Sequence, residues 1–521
     1  METHVLNLLA LSLLFLLFYC AARISYFIWW KPKWLESKLK RQGIRGTPYK
    51  LLVGDMKELV RLATEAWSKP LSLTHRIVPR VDPFTLNNSQ KYGKTSMCWF
   101  GTTPRLIIMD PEMIKETLSN KQGHFHKPPL NPLITILTRG LATLQGDNWA
   151  RHRRIINPAF HLERFKEMAP VFTISCSNMI EEWKKRMVNL QGTCEVDMWP
   201  EFQKLTADVI SRAAFGSNYE EGKKVFELQK ELIVLVLEAM QTLYIPGFRF
   251  LPTKKNQRRK KLDKEITSML RNIIQNKWNE MRTGQSRVDD LLGLLLQSNN
   301  QENLPENGSK KKSNEMTIEE VIEECKQFYL AGQETTSSWL TWIIIVLAMH
   351  PVWQEKAREE VLQVCGKKEP NFESLSRLKI VTMVLNEVLR LYPPVIAQYL
   401  HAHKNSRIGL INVSAGTDLT LPTLLIHHDP ELWGDDVEEF KPERFSQGVS
   451  KACKDQLAFF PFGWGPRTCI GQNFSIIEAK VAVAMILQHF SFELSPSYTH
   501  APCTVMTLQP QHGAQIILHK L

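Results

Sequence analysis

A mainly helical body with small β-sheets (α+β), preceded by one N-terminal transmembrane helix, is the fold the sequence predicts, on three observations. Val5 to Ile28 is almost wholly apolar. Residues 95–110 (TSMCWFGTTPRLIIMD) form short apolar runs broken by Gly-Thr-Thr-Pro, the pattern of a small sheet. Thr317 to Met349 runs 33 residues without proline from a Thr317-x-x-Glu320 capping box, which predicts one long helix; most of the rest also reads helical.

Composition bounds the class. The chain has 521 residues, 43% hydrophobic and 23% charged, with 25 Gly and 28 Pro: too apolar for disorder, too Gly-poor for a fibre, and long enough to bury a large core. Its nine cysteines are sparse and include no C-x-x-C pair, so neither a disulfide framework nor a zinc ribbon is indicated and a reducing compartment fits. A net charge of +12 favours an anionic partner such as a membrane surface or an acidic protein. Nucleic acid is not expected, because no aromatic-plus-basic recognition motif accompanies the charge.

As a helix, Val5 to Ile28 would reach about 36 Å, enough for a bilayer core. Met1, Glu2, Thr3 and His4 lack the positive charge that a cleavable signal carries, whereas Lys31, Lys33, Lys38, Lys40 and Arg41 follow the run. That asymmetry predicts an uncleaved single-pass anchor with a cytosolic body, and Trp29, Trp30 and Trp34 near the interface. The sequons at Asn307, Asn412 and Asn473 then face the wrong side for glycosylation. With no repeats or long linkers, the division is residues 1–30 as anchor and 31–521 as one catalytic body. Lys254 to Lys261 (KKNQRRKK) and Gln301 to Ser313 read as solvated loops or helix ends, docking by the first being the lesser alternative.

The chemistry points to the C-terminal segment FFPFGWGPRTCIGQNFSIIEAK. Cys469 stands at the mouth of a long apolar helix, where the positive helix end and free N–H groups should lower its thiol pKa and make the thiolate available to a metal. Gly465 and Gly471 would let backbone approach a flat ligand, and Arg467 offers a fork of donors to a carboxylate. Phe462, Gly465, Arg467, Cys469 and Gly471 spell F-x-x-G-x-R-x-C-x-G, which resembles the signature of the cytochrome P-450 haem-thiolate monooxygenases. The resemblance implies the P-450 fold, haem b as cofactor, and Cys469 as the axial thiolate on its iron.

Three further patches extend it. In AGQETT, Gly332 weakens the helix and the Thr335-Thr336 hydroxyls compete for carbonyls, so the ladder there can open into a groove. The resemblance assigns Glu334 and Thr335 to proton delivery in oxygen activation, and Ala331 with Gly332 to the floor over the haem. A second membrane span is disfavoured, since the apolar run from Trp339 to Met349 is only eleven residues. In LNEVLRLYPP, Glu387 and Arg390 share a helix face, and FKPERF adds Arg444; read alone these make a surface pair, and by resemblance a buried structural ion network. In GDNWARHRRIINPAF, Trp149 and Arg153 fall at i and i+4 and, by resemblance, reach haem propionates, whereas Arg151 and Arg154 read as facing solvent or membrane.

The chain is most similar to the plant microsomal clan that oxidises terpenoids and contains secologanin synthase, as QGIRG (42–46), AFGSNYEEG (214–222), YIPGFRFLPT (244–253) and AGQETT indicate. Two departures stand out. An Arg common after the Pro-Pro pair is replaced in VIAQYLHAH by Leu400 beside His401, with His401 or His403 as a speculative substitute; and the usual P-A-G turn reads Ser414-Ala415-Gly416. The implied reaction inserts one oxygen atom from O2 into an apolar terpenoid-type substrate at the endoplasmic reticulum membrane. No G-x-G-x-x-G fingerprint is present, so NADPH electrons should come through NADPH-cytochrome P-450 reductase. The pocket would draw on residues 120–138, 235–252, Ala331 and Val395 to Gln398. Alternatives are a haem-thiolate isomerase or dehydratase that needs no O2, and a non-catalytic membrane scaffold.

Overall fold

The apolar N-terminus folds as a helix from Glu2 to Ser25, passes through a π-helical turn at Tyr26–Trp30 and continues as Lys31–Lys40. His4–Lys40 is thus one helical stretch of 37 residues, long and apolar enough to cross a membrane. It outruns the apolar segment because Pro32 falls in the first turn after the π-helical register change, where its missing N–H costs little. The computed structural model describes residues 2–121, 123–188, 192–216, 219–240, 247–283, 290–298 and 316–521. Outside the described residues lie the Gln301 to Ser313 stretch with Asn307, positions 217–218 of AFGSNYEEG, 244–246 of YIPGFRFLPT, and 122 and 241–246 of the expected pocket segments.

The chain divides into two compact units. The first comprises Met1–Ala66, Asp82–Pro128 and Tyr399–Pro422. Its sheet has the strand order Arg45–Gly46, Thr95–Phe100, Thr103–Ile108, Asp418–Leu421, Gln398–Ala402, Phe125–His126. The Gly-Thr-Thr-Pro break makes the hairpin: Gly101 turns at φ +60° and Thr95–Phe100 pairs antiparallel with Thr103–Ile108. The N-terminal helix is fastened to this unit. Tyr49 Oη donates to the Ile28 carbonyl at 2.5 Å, its ring lies 4.8 Å from that of Trp99, and Leu35 completes the buried cluster.

The second unit comprises Trp67–Val81, Pro129–Gln398 and Thr423–Leu521. The helix Ile318–Met349 runs through it. Thr317 Oγ1 accepts from the Glu320 N–H and the Glu320 carboxylate accepts from the Thr317 N–H, the capping box read from sequence. Trp339 to Leu347 are at most 2% exposed, so this apolar run is a core helix. The helix packs against Met198–Phe215, while Gln472–His489 packs against Leu162–Met187 through Phe474, which meets Phe165 and Phe172 edge-on. A sheet ordered Phe490–Leu494, Gln515–Lys520, Thr193–Asp197 closes one side.

The basic stretch at 254–261 opens the helix Lys254–Arg282. Lys255 pairs with Glu238 and Arg258 with Glu231, but Arg259 is buried and donates to the Leu235 carbonyl at 2.6 Å. One of its cations therefore works inside the helix packing, which the sequence reading did not foresee.

Candidate active site

The cysteine loop is shaped by glycines and closed by its own backbone. Gly463 and Gly465 have φ of +75° and +74°, conformations that side-chain-bearing residues rarely adopt. The Cys469 N–H donates to the Phe462 carbonyl at 2.8 Å, and Gly471 forms the N-cap of Gln472–His489. Cys469 is exposed by surface area yet densely surrounded by protein atoms, so its sulfur is reachable but walled in. Burial pushes the thiol pKa up, and the Gly471 N–H and Arg153 pull it down without cancelling that rise. This corrects the sequence expectation of a lowered pKa: the helix end contributes, but desolvation outweighs it. Metal coordination removes the proton in either case.

Helix Gly146–Ile156 brings both of its candidate residues to this loop. Arg153 Nη1 donates to the Thr468 carbonyl at 2.9 Å, one residue before the cysteine. The Arg467 guanidinium lies 4.5 Å from the centre of the Trp149 ring, and its Nη2 donates to Leu144 O at 2.8 Å and Gln145 Oε1 at 3.1 Å. Burial lowers the pKa of both arginines, that of Arg467 to about 10. Arg151 does not face solvent or membrane. It pairs with Glu320 on Ile318–Met349, and although burial alone would raise the Glu320 carboxyl, Arg151 and the Thr317 N–H bring it down to about 2. Arg154 is exposed.

On that long helix, Ala331, Thr335 and Trp339 succeed one another at four-residue intervals and so share a stripe. Ala331 is exposed, between buried Leu330 and half-buried Gly332; the Trp339 ring meets Phe462 of the cysteine loop edge-on at 6.1 Å. Thr335 Oγ1 donates to the Ala331 carbonyl at 2.8 Å, yet the helix runs unbroken, so the expected opening of the ladder does not occur. Gly332 also differs from expectation. A Cβ there would fall 2.8 Å from Ile210 Cγ1, so the glycine lets Met198–Phe215 approach closely. Burial raises the pKa of the Glu334 carboxyl, with Lys230 opposing.

Glu387 and Arg390 are fully buried and joined by two hydrogen bonds of 2.8 and 2.7 Å. Arg390 also donates to the carbonyls of His427, Val437 and Glu439, and Arg444 stands 3.5 Å from Glu387. The sequence reading missed Asp436, which pairs with Arg444 at 2.5 Å and with Lys441 at 2.8 Å. Lys441 and Arg444 hold the Asp436 carboxyl below its ordinary range against an opposing burial effect. It stands only eight and five residues before those partners, in an acidic run (Asp435, Asp436, Glu438, Glu439) where no spacing singles it out.

Leu400 is buried, and the alternation of the strand puts His401 on the opposite face, where its Nδ1 bonds Asp418 at 2.7 Å. His403 stacks on His126 at 4.6 Å. His401 thus points away from the side of the strand that Leu400 occupies, and each histidine is engaged by another side chain.

A reachable, walled-in thiolate precursor with a helix-cap N–H and two arginines beside it suits an iron porphyrin that carries carboxylates. Sequence comparison agrees. The Cytochrome P450 family profile matches residues 80–518. The chain is 53% identical over 522 residues to Cytochrome P450 CYP72A616 of Paris polyphylla, covering all of both chains. It is 53% identical over 501 residues to Cytochrome P450 72A397 of Kalopanax septemlobus (96% of this chain, 95% of the relative). It is 48% identical over 502 residues to Secologanin synthase 1 of Catharanthus roseus, with the same coverage. Shared sequence along almost its whole length, on a mostly helical fold with small sheets, makes this chain a cytochrome P450 monooxygenase of the plant CYP72 clan, a family whose haem iron is bound by a cysteine thiolate.

Proposed function

We propose that the protein is a membrane-anchored monooxygenase that inserts one oxygen atom from O2 into an apolar terpenoid-type substrate, triterpenoid or iridoid, with Cys469 as the haem ligand. Residues 1–30 act as anchor and 31–521 as catalytic body. The observation that carries the ligand assignment is the accessible Cys469 sulfur beside the Gly471 N–H and Arg153. When bound, the haem supplies oxygen activation at iron, and thiolate donation favours O–O cleavage.

The chain's own groups do the rest. Trp149, Arg153 and Arg467 supply donors for the propionates. Phe462, Gly465 and Gly471 shape the loop around the sulfur, and Ala331 keeps the helix face low. Thr335 Oγ1 holds a proton that it now donates to Ala331 O, and Glu334, its pKa raised by burial, resupplies it. Glu387, Arg390 and Arg444 act as structure, fixing the segment that leads to the cysteine loop. The pocket takes residues from 129–138 and Val395 to Gln398.

Electrons come from NADPH through NADPH-cytochrome P-450 reductase, an acidic partner face suiting the basic balance of the chain. The positive charge behind the span supports a single-pass endoplasmic reticulum anchor with a cytosolic body, and apolar substrate can partition in from the bilayer. The test is reconstitution of the full chain with that reductase and a panel of triterpenes and iridoids. NADPH- and O2-dependent product is expected. Turnover without either would favour the isomerase reading, and purified protein without haem would remove the enzymatic one.

A further inference from the structure

Glu324 is fully buried on the long helix, five residues before Tyr329, and no part of the reaction proposed above uses it. Its carboxylate binds two partners: Oε1 lies 2.6 Å from His152 Nδ1, and Oε2 accepts from the Leu141 N–H at 3.0 Å. Its neighbours extend the same grip. Glu323 accepts from the Arg139 N–H at 2.9 Å and Gln327 Oε1 from the Ala142 N–H at 2.9 Å. One stretch of loop backbone thus gives three N–H groups to three side chains of one helix. Gly140 makes the approach possible, because a Cβ there would fall 2.8 Å from both Gln327 Oε1 and Glu324 Oε2.

The clamped loop leads straight into the helix that carries Trp149 and Arg153, and its far end is held to the cysteine loop by Arg467 on Leu144 O. Glu324 and Thr335 are eleven residues apart, about three helical turns, so they share a helix face. The loop is therefore tied at one end to the face that bears Thr335 and at the other to the loop that bears Cys469.

We propose that Glu324 is a positioning residue for the oxygenation: it locks the 139–152 segment onto the helix carrying Glu334 and Thr335, so that the groups around the cysteine and the proton-delivery pair keep one frame. This rests on the monooxygenase reading for its consequence but not for its geometry. Glu324→Ala removes the acceptor of the buried Leu141 N–H and the carboxylate on His152 Nδ1, and so loosens the middle of the loop between the bonds that Glu323 and Gln327 still make. Glu324→Gln keeps an oxygen for Leu141 and rescues in part.

The experiment uses the full chain and two readouts. Amide hydrogen exchange over 139–142 is expected to speed up at least tenfold in Glu324→Ala, the equivalent of a lost charge-assisted hydrogen bond, and less in Glu324→Gln. Product formed per NADPH consumed, per haem-loaded protein, is expected to fall severalfold in Glu324→Ala while the carbon monoxide band of the reduced protein stays. Gly140→Ala disturbs the same contact from the loop side and serves where Glu324→Ala does not fold. Unchanged exchange overturns the clamp. Faster exchange with wild-type coupling overturns the positioning role and leaves only local packing. If wild-type protein fails to consume NADPH and O2 with any substrate, the functional reading falls, and the exchange result still stands on its own.

Discussion

Arg467 and Trp149 hold each other: the guanidinium caps the indole face at 4.5 Å while also gripping the Leu144 carbonyl at 2.8 Å. Two residues that sequence reasoning assigns separately to haem carboxylates are thus coupled. Lysine offers neither a flat face nor a fork, so Arg467→Lys should lower haem occupancy severalfold, read as haem per protein by pyridine haemochrome. Full occupancy in that variant would show the pair to be dispensable.

Cys469→Ala should abolish the thiolate carbon monoxide band of the reduced protein. The mutation removes the sulfur that the Gly471 N–H and Arg153 face and leaves the loop's backbone bonds intact. A band that survives sinks the ligand assignment.

Thr335→Ala removes the hydroxyl that bonds Ala331 O but no core contact, so haem binding should persist while product per NADPH drops about tenfold, a change of about 1.4 kcal/mol in partition. Peroxide release measured beside NADPH consumption checks it.

Glu478 is buried on Gln472–His489 with neither carboxylate oxygen hydrogen-bonded, and burial raises its pKa well above the ordinary value. A carboxyl whose pKa is higher in the folded than in the unfolded chain favours folding at low pH, and that contribution fades as pH rises from about 4 towards the folded value. Glu478→Met should therefore stabilise the protein at neutral pH by about 1–3 kcal/mol, with a gain that shrinks on acidification. Thermal melts at several pH values decide; an equal gain at every pH would contradict the account.

Gly332→Ala should destabilise by about 1–3 kcal/mol through overpacking, since its Cβ would meet Ile210. Trimming Ile210 to Ala in the same protein should recover part of the loss, a coupling that a double-mutant cycle measures.

What the sequence disclosed was what neighbouring residues decide. The capping box at Thr317 and Glu320, the hairpin at Gly101, the membrane-length helix and the spacing of Phe462, Cys469 and Gly471 are local and were read correctly as elements. What it hid depends on partners far along the chain. Arg151 looked like a solvent cation because Glu320 lies 169 residues away. Glu324 showed no sign of use, since its partners are a backbone N–H and a histidine that only the folded chain brings near. The closeness of Gly332 to Ile210, on a helix more than a hundred residues earlier, has no mark in the sequence either. At Cys469 the helix end is visible in the sequence, whereas the burial that outweighs it is not.

The Tyr49 bond to Ile28 O has a practical consequence for anyone who shortens the protein to obtain crystals. A cut at the boundary of the apolar run deletes the acceptor, strips one wall from the Leu35, Tyr49 and Trp99 packing and uncovers an aromatic surface prone to self-association. A cut near Ser25 removes most of the greasy segment and spares that joint, so the longer truncation product should be the better behaved in detergent-free buffer.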